Sequence, residues 1–274
     1  GITFPLTRNA LTEVDPFVFV SLRFALASLV LLPSVWFLFH KTTRAMLFGS
    51  LMIGILNAAA YLCQTIGLET VHSARAAFIT GASVIFVPFL APLFKLEKPS
   101  RLDKLCALIG FAGLYVIMDI QHFHIAHGDL WVFLGAISFS LQITYLQRLN
   151  QIIADYQLLT FYQLFFTLPF VLLFTRGHSF SEAMQPRALE GIIFCAVFAT
   201  SLAYYLQNKY QKFTNAPKAA LIFALEPVFA SVFGMLINRE LLARTTVYGG
   251  LLLLLSLVLP SLVNMSKESS SSIK

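Results

Sequence analysis

The sequence is poor in charged residues. Asp, Glu, Lys and Arg make up 12% of its 274 residues, whereas an ordinary soluble domain carries roughly 25%. Six segments contain none of these residue types, namely residues 45–68, 76–94, 130–147, 156–175, 191–208 and 245–266. Each is long enough to cross about 30 Å of hydrocarbon as a helix. A soluble domain of this size could bury one or two such helices on all sides but not six, so the composition excludes an ordinary soluble fold.

Residue patterns typical of enzymes and metal sites are also lacking. The sequence has no His-Glu-x-x-His segment, no pair of intramembrane aspartates and no Gly-x-Ser-x-Gly elbow, which argues against a membrane-embedded enzyme. Three cysteines lie in apolar runs without metal-ligand spacing and are expected to be small buried side chains, namely Cys63, Cys106 and Cys195. Three irregularly spaced histidines indicate a polar loop and helix cap rather than a metal site, namely His122, His124 and His127. We therefore expect no cofactor and no metal.

Charges, prolines and polar clusters divide the chain into nine predicted membrane spans. They are residues 16–39, 45–68, 74–95, 102–119, 129–147, 155–176, 188–209, 216–238 and 244–265. Short connections make neighbouring helices antiparallel. The chain begins without methionine in a hydrophobic segment, so we expect residues 1–10 to be the outer end of a tenth, first helix that is mostly missing.

The distribution of Lys and Arg predicts the orientation. One set of alternate connections, together with the C-terminal tail, holds 12 of the 19 basic residues, and the other set holds 6. Because basic connections stay on the cytoplasmic side, we expect the first set to be cytoplasmic, including a disordered tail at residues 266–274. Basic residues lie between spans rather than on one patch, so the net charge of +6 does not indicate nucleic-acid binding.

The chain aligns with itself at a constant offset of 143 residues, the separation of Tyr61 from Tyr204. The same offset pairs Gln64 with Gln207, and further matches are Ala76, Ala77, Ile79, Phe86 and Glu97 with Ala219, Ala220, Ile222, Phe229 and Glu240. If each unit holds five helices, the second unit starts on the opposite side of the membrane. Inverted repeats of this kind are typical of secondary transporters, whose substrate site lies near the midplane where the halves meet.

Segments with a family resemblance are spread over nearly the whole chain. They are residues 1–5, 22–24, 64–68, 73–88, 128–130 and 219–228, the last with a Leu-Glu-Pro triplet. In this order and spacing they resemble the EamA-like permeases of the drug/metabolite transporter superfamily. The resemblance implies an all-α membrane fold of ten helices in two inverted repeats, here residues 1–124 and 125–265. It also implies a central cavity and transport of amino acids or other small metabolites, often outward.

Polar side chains recur on one face of several predicted helices. Asn57, Tyr61 and Gln64 follow i, i+4, i+7 spacing, and the offset carries this stripe to Thr200, Tyr204 and Gln207. Further polar candidates for a cavity wall are Thr80, Ser83, Ser138, Gln142 and Gln163. Such side chains either face a watery cavity or hydrogen-bond neighbouring helices. Both interpretations stay open, and the matched Tyr and Gln pairs favour the cavity.

Two charged residues lie inside predicted spans. Glu226, near the middle of its span, either exchanges protons and couples transport to a proton gradient or is a structural hydrogen-bond acceptor. Arg23 binds a substrate carboxylate, pairs with Glu226 or extends to the outer headgroups, the last two being favoured. Pro88 and Pro227 interrupt the fourth helix of each half, one helical turn out of register, and such interrupted helices point to a binding site.

Together these observations predict a secondary transporter. We expect a multi-pass permease of the cell's inner (plasma) membrane that moves amino acids or similar metabolites by alternating access, in the direction of export. Its expected partners are a small-molecule substrate, the lipid bilayer and, through Glu226, protons. A channel or scaffold without coupled transport is the alternative, and an embedded enzyme is less favoured.

Overall fold

The computed structural model describes residues 1–96, 98–118, 126–175, 177–229 and 244–271. All the regular secondary structure in these ranges is helical, which confirms the predicted all-α class. The helices are α1 (Thr3–Ala10), α2 (Pro16–Val35), α3 (Arg44–Thr70), α4 (Ser73–Gly81), α5 (Ser83–Leu90), α6 (Arg101–Met118), α7 (His127–Asn150), α8 (Tyr156–Leu172), α9 (Pro186–Ala196), α10 (Ala203–Tyr210), α11 (Ala216–Phe223) and α12 (Arg244–Ser271). A π-helical segment, Val197–Leu202, joins α9 to α10.

Several helices begin at a side chain that caps free backbone N–H groups. Asp15 accepts hydrogen bonds from the first turn of α2, and Thr43 accepts one from Met46 N at the start of α3. Asp155 and Asn215 cap α8 and α11 in the same way. Because the first N–H groups of a helix have no partner within it, these caps fix where each helix begins.

Five described helical segments are long and apolar enough to cross a membrane, fewer than the nine predicted spans. They are Pro16–Lys41, Arg44–Thr70, Arg75–Phe94, His127–Asn150 and Pro186–Phe213, and two shorter apolar helices are Tyr156–Leu172 and Val247–Pro260. The predicted span 102–119 corresponds to α6, which carries three charged residues in its first turn. The predicted span 216–238 is interrupted after Phe223, and residues 230–243 lie outside the described part of the chain.

The outer surface is strongly apolar. Phe48, Phe89, Leu108, Leu130 and Leu251 are each more than half exposed. Large apolar side chains exposed in this number on many helices would be unfavourable in water. The surface therefore fits a bilayer as its surroundings, and the chain is a multi-pass membrane protein.

One prediction about a helix end differs from the structure, and another lies mostly outside the described residues. The last helix continues to Ser271, so residues 266–271 extend α12 instead of forming a disordered tail. No glycine or proline interrupts the chain between residues 261 and 271, and the helix therefore has no local reason to stop there. The predicted histidine-containing loop falls mostly outside the described residues, with only His127 described, at the start of α7.

Close helix packing depends on glycine. The α3 helix packs against α7 and α8, and α6 packs against α12. A Cβ atom on Gly67 would lie 2.7 Å from the carbonyl oxygen of Gly128, and one on Gly113 would lie 2.7 Å from that of Gly249. Small residues at such contacts let two helix backbones approach each other, which is how helices associate within a membrane.

Candidate functional site

A cavity of about 360 Å³ lies between the helices of the two halves. Its size is in the range of small-molecule sites. The polar residues that line it are Thr3, Thr7, Arg23, Tyr61, Gln64, Thr80, Ser83, Gln142, Tyr204, Gln207 and Glu226, and the aromatic ones without a polar group are Phe4, Phe139, Phe223 and Phe229. The wall therefore combines hydrogen-bonding groups and two opposite charges with flat apolar surface.

Most of the polar residues predicted for a cavity wall lie here together. They are Tyr61, Gln64, Thr80, Ser83, Gln142, Tyr204 and Gln207. Their amides are held in place by neighbours: Gln64 Nε2 donates to Thr80 Oγ1 at 3.0 Å, and Gln207 Nε2 lies 3.4 Å from Gln142 Oε1. The pairing of these groups keeps polar atoms directed at the cavity rather than at lipid.

Four predicted cavity residues do not line it. Asn57 and Thr200 lie behind the wall, fully buried, and hydrogen-bond residues that do line it. Gln163 is also fully buried, and neither atom of its amide has a partner among the described residues. Ser138 donates to Leu134 O at 3.1 Å, within its own helix.

The face that α7 turns to the cavity shares Gln142 with the predicted face but contains Phe139 in place of Ser138. The cavity contacts Phe139, Gln142 and Ile143, whereas the prediction placed Ser138 with Gln142. Ser138 and Phe139 point about 100° apart around the helix, because they are neighbours in the chain. Sequence reasoning followed the polar side chains and so missed Phe139, although its i, i+3 spacing from Gln142 was an available signal.

The two matched tyrosines contact each other. The ring centroids of Tyr61 and Tyr204 are 6.4 Å apart with an interplanar angle of 42°. Tyr204 donates its hydroxyl to Asn57 Oδ1 at 2.9 Å. Phe24 and Phe139 pack edge-on against Tyr61 with centroids at 5.0 Å. Aromatic packing thus fixes one wall of the cavity at the meeting point of α2, α3, α7 and α10.

Arg23 does not reach the outer surface, contrary to one of the favoured predictions. Its side chain is 2% exposed. Its Nε donates to Thr200 Oγ1 at 2.7 Å, Nη2 lies 3.4 Å from the carbonyl oxygen of Ala199, and the guanidinium carbon is 4.5 Å from the centroid of the Tyr61 ring. Among the described residues no ion pair joins Arg23 to Glu226, so the predicted pairing of these two is not found either.

The π-helical segment explains the position of Arg23. Thr200 Oγ1 donates to Cys195 O and Ser201 Oγ donates to Ala196 O, both at 2.8 Å and both five residues back. The wider turn brings the hydroxyl of Thr200 and the carbonyl of Ala199 within reach of Arg23. Segments of this kind occur frequently at functional sites. Sequence reasoning missed it, and the adjacent Thr200 and Ser201 in an apolar run were the available signal.

Both halves contain a broken helix at the same repeat position. A turn at Ala82 separates α4 from α5, and a turn at Ala224 and Leu225 separates α11 from the helical residues 226–229. The offset carries residue 82 to residue 225. Ser83 and Glu226 each open the second piece and line the cavity. Pro227 is the second residue after the second break, where it disfavours a continuous helix. Pro88 lies five residues further along α5 than Ser83, and neither proline lines the cavity.

Glu226 is the one carboxylate among the described residues that line the cavity. Its side chain is 34% exposed, and Oε1 lies 3.6 Å from the backbone nitrogen of Gly1. A carboxylate in this position can meet both a bound molecule and water that enters with it.

The chain is similar to a family of transporters, to individual proteins named as transporters and to a solved structure. The model of the EamA-like transporter family matches residues 1–119 and 126–262. An uncharacterized transporter of Archaeoglobus fulgidus is 29% identical over 266 residues, covering 96% of this chain and 82% of the relative. The uncharacterized transporter YvbV of Bacillus subtilis is 27% identical, covering 99% and 90%. One solved crystal structure shares the fold, with a TM-score of 0.74 over 97% of this chain and 96% of that chain at 13% identity.

Proposed function

Because this chain belongs to the EamA-like transporter family, we propose that it is a secondary carrier that moves amino acids or similar small metabolites through the central cavity. Transport proceeds by alternating access and in the direction of export. The observation that carries the proposal is the composition of the cavity wall. Tyr61 and Tyr204, Gln64 and Gln207, and the pair Ser83 and Glu226 occupy matched positions in the two halves and all face one cavity.

The proposed architecture is a pair of inverted five-helix repeats. Helix packing supports it: α3 packs against α7 and α8 in the second half, and α9 packs against α1 and α2 in the first. The offset relates α3 to the α9–α10 helix and α2 to α8, so these contacts are equivalent under an exchange of the halves. Two similar halves around a central site can rock against each other, which a carrier requires and a channel does not.

Glu226 is proposed to couple transport to protons. It lies at a helix break in the wall, and in the described part of the wall no second carboxylate competes for a proton. A carboxylate that alternates between protonated and ionised forms as the cavity opens to either side would link substrate and proton movement. Its competing role is that of a structural acceptor near Pro227.

The orientation of the protein and the direction of transport are proposed from the sequence. The connections and the tail that are rich in Lys and Arg are proposed to be cytoplasmic, and the C-terminus with them. The membrane is proposed to be the inner membrane of the cell. The proposed direction, export, is inferred from the resemblance to the EamA-like permeases.

Counterflow tests the proposal. Purified protein in liposomes preloaded with unlabelled amino acids is expected to take up labelled amino acid transiently above equilibrium, with a rate that saturates. Only a carrier whose binding site returns across the membrane with substrate bound shows this transient accumulation. A flux that rises linearly with concentration and shows no transient accumulation would identify a channel, and no flux above protein-free liposomes would favour a scaffold.

A further inference from the structure

Arg23 is a buried cation that forms no direct ion pair with a described carboxylate. It is 2% exposed and lines the cavity. The described ion pairs involve other residues. A buried charge without a counter-ion is strongly unfavourable, because the surrounding apolar groups cannot replace its hydration.

Neutral groups hold the guanidinium in a fixed orientation. Thr200 binds Nε, the carbonyl of Ala199 faces Nη2, and the ring of Tyr61 covers one face. A guanidinium has five N–H donors, and these contacts use two of them. Arg23 is among the residues that line the cavity, so we expect the remaining donors to lie beside a molecule that enters it.

From this arrangement we propose that Arg23 binds a carboxylate group of the transported substrate. The inference rests on the proposed carrier function and names the group that the cavity recognises. A planar guanidinium fits a carboxylate through two parallel hydrogen bonds, which adds both energy and orientation. Since Tyr61 is matched to Tyr204 on the opposite half, a substrate held at Arg23 lies between the two halves.

The charge of the cavity favours a carboxylate over a phosphate. Arg23 is the only cationic side chain among the described residues that line the cavity, and Glu226 contributes a carboxylate to the same wall. A phosphate group carries up to two negative charges and would leave an excess of negative charge in a low-dielectric space. With Arg23 and Glu226 both ionised, a single carboxylate adds one negative charge to the cavity, fewer than a doubly charged phosphate adds.

The experiment compares acids with their neutral analogues. Wild-type protein in liposomes is assayed for counterflow with the twenty protein amino acids, their amides and the corresponding decarboxylated amines. We expect the acids to be transported with roughly tenfold to a hundredfold higher apparent affinity than the amides and amines, the range for charge-assisted hydrogen bonds. This part needs no variant, so it does not depend on whether a changed protein folds.

Three variants assign the preference to Arg23. Arg23→Gln is expected to reduce the acid preference to about twofold or less, and Arg23→Lys to keep part of it, because lysine retains the charge but not the planar fork. Arg187→Gln is the matched control, since Arg187 is 68% exposed and does not line the cavity, and it should retain the full preference. Circular dichroism and gel filtration establish that each variant is folded.

The outcomes separate the two proposals. Saturable counterflow of amides and amines as strong as that of acids would retain the carrier and overturn the Arg23 site. The same conclusion follows if folded Arg23→Gln keeps a tenfold preference for acids. No saturable flux of any compound in the three series would overturn the carrier function and the site with it.

Discussion

The guanidinium of Arg23 lies over the ring of Tyr61, 4.5 Å from its centroid, and so joins α2 to α3 at the wall of the cavity. A cation over an aromatic face gains roughly 0.5–2 kcal/mol, more when water is excluded. The ring also contacts Tyr204 from the other half of the chain. A change at Tyr61 therefore affects both the orientation of the cation and the contact between halves.

Tyr61→Phe and Tyr61→Leu should separate these effects. Phenylalanine keeps the aromatic face, so we expect the apparent affinity for substrate to stay within about threefold of wild type. Leucine removes the face, and the loss of roughly 0.5–2 kcal/mol predicts a weakening of about 2- to 30-fold. Counterflow as a function of substrate concentration measures both. Equal effects of the two substitutions would show that the aromatic face does not position Arg23.

The hydrogen bond from Tyr204 to Asn57 should couple the two residues energetically. Tyr204→Phe and Asn57→Ala each remove one partner of a buried 2.9 Å bond, and each should lower stability by roughly 1–3 kcal/mol. The double variant should lose less than the sum, with a coupling of roughly 0.6–1.7 kcal/mol as found for bonds between membrane helices. Reversible unfolding in detergent measures this cycle, and strictly additive losses would contradict the bond.

Asp129 should be needed for the stability of the junction between α4 and α7. Its two carboxylate oxygens accept from Nε and Nη2 of Arg75 at 2.7 Å, and Oδ2 also accepts from Ala126 N at 2.7 Å. We expect Asp129→Asn to lower the free energy of unfolding by roughly 1.5–3 kcal/mol.

The matched control for Asp129 is Glu13→Gln. Glu13 forms a peripheral ion pair with Arg187 at 3.8 Å, in which Arg187 is 68% exposed. Exposed pairs contribute at most about 1 kcal/mol, although Glu13 also accepts backbone N–H groups that glutamine can still satisfy. A larger loss for Glu13→Gln than for Asp129→Asn would show that the Arg75 pair is not the stronger link.

Gly67 should not tolerate a methyl group. A Cβ atom there would lie 2.7 Å from the carbonyl oxygen of Gly128, so Gly67→Ala forces α3 and α7 apart and should cost roughly 1–3 kcal/mol. Gly250→Ala is the control, because its nearest neighbouring atom would be 3.4 Å away, an ordinary contact. Thermal unfolding in the same detergent compares them. Equal stability of both variants would contradict the close approach of α3 and α7.

Glu226→Gln should abolish transport driven by a proton gradient while leaving counterflow intact. Glutamine keeps the size and hydrogen-bonding capacity of the side chain but cannot release a proton. Uptake into liposomes with and without an imposed pH gradient distinguishes the two activities. An unchanged response to the gradient would contradict proton coupling, and loss of both activities would support a structural role for Glu226.

Much of the cavity was predictable because the repeat preserves residue identity. Tyr61 and Tyr204, like Gln64 and Gln207, match at a fixed offset. A polar side chain in an apolar membrane helix is stable only where it faces a cavity or another polar group. Which residues of a helix face the cavity was harder to predict. Ser138 and Phe139 are neighbours in the chain, and which of them faces the cavity depends on how α7 packs against α3, where glycines such as Gly67 and Gly128 allow a close approach.

The contacts of Arg23 could not be predicted from the sequence, although Thr200 and Ser201 were a signal for the segment that holds its partners. Its partners Ala199 and Thr200 lie about 176 residues away, in the segment where the helix widens into a π turn. A single intramembrane arginine therefore suggested a headgroup contact on general grounds. The break at residues 224–225 is different, since Pro227 marks it and the offset relates it to Ala82.

The central claim is that matched residues of the two halves line one cavity through which substrate passes. Substrate protection of single cysteines at Gln64 and Gln207 tests it most directly, in a background where Cys63, Cys106 and Cys195 are replaced by alanine. A water-soluble maleimide should label both positions, and a transported amino acid should slow the labelling of both. Absence of labelling at both positions, or labelling that substrate does not slow at either, would contradict the shared cavity.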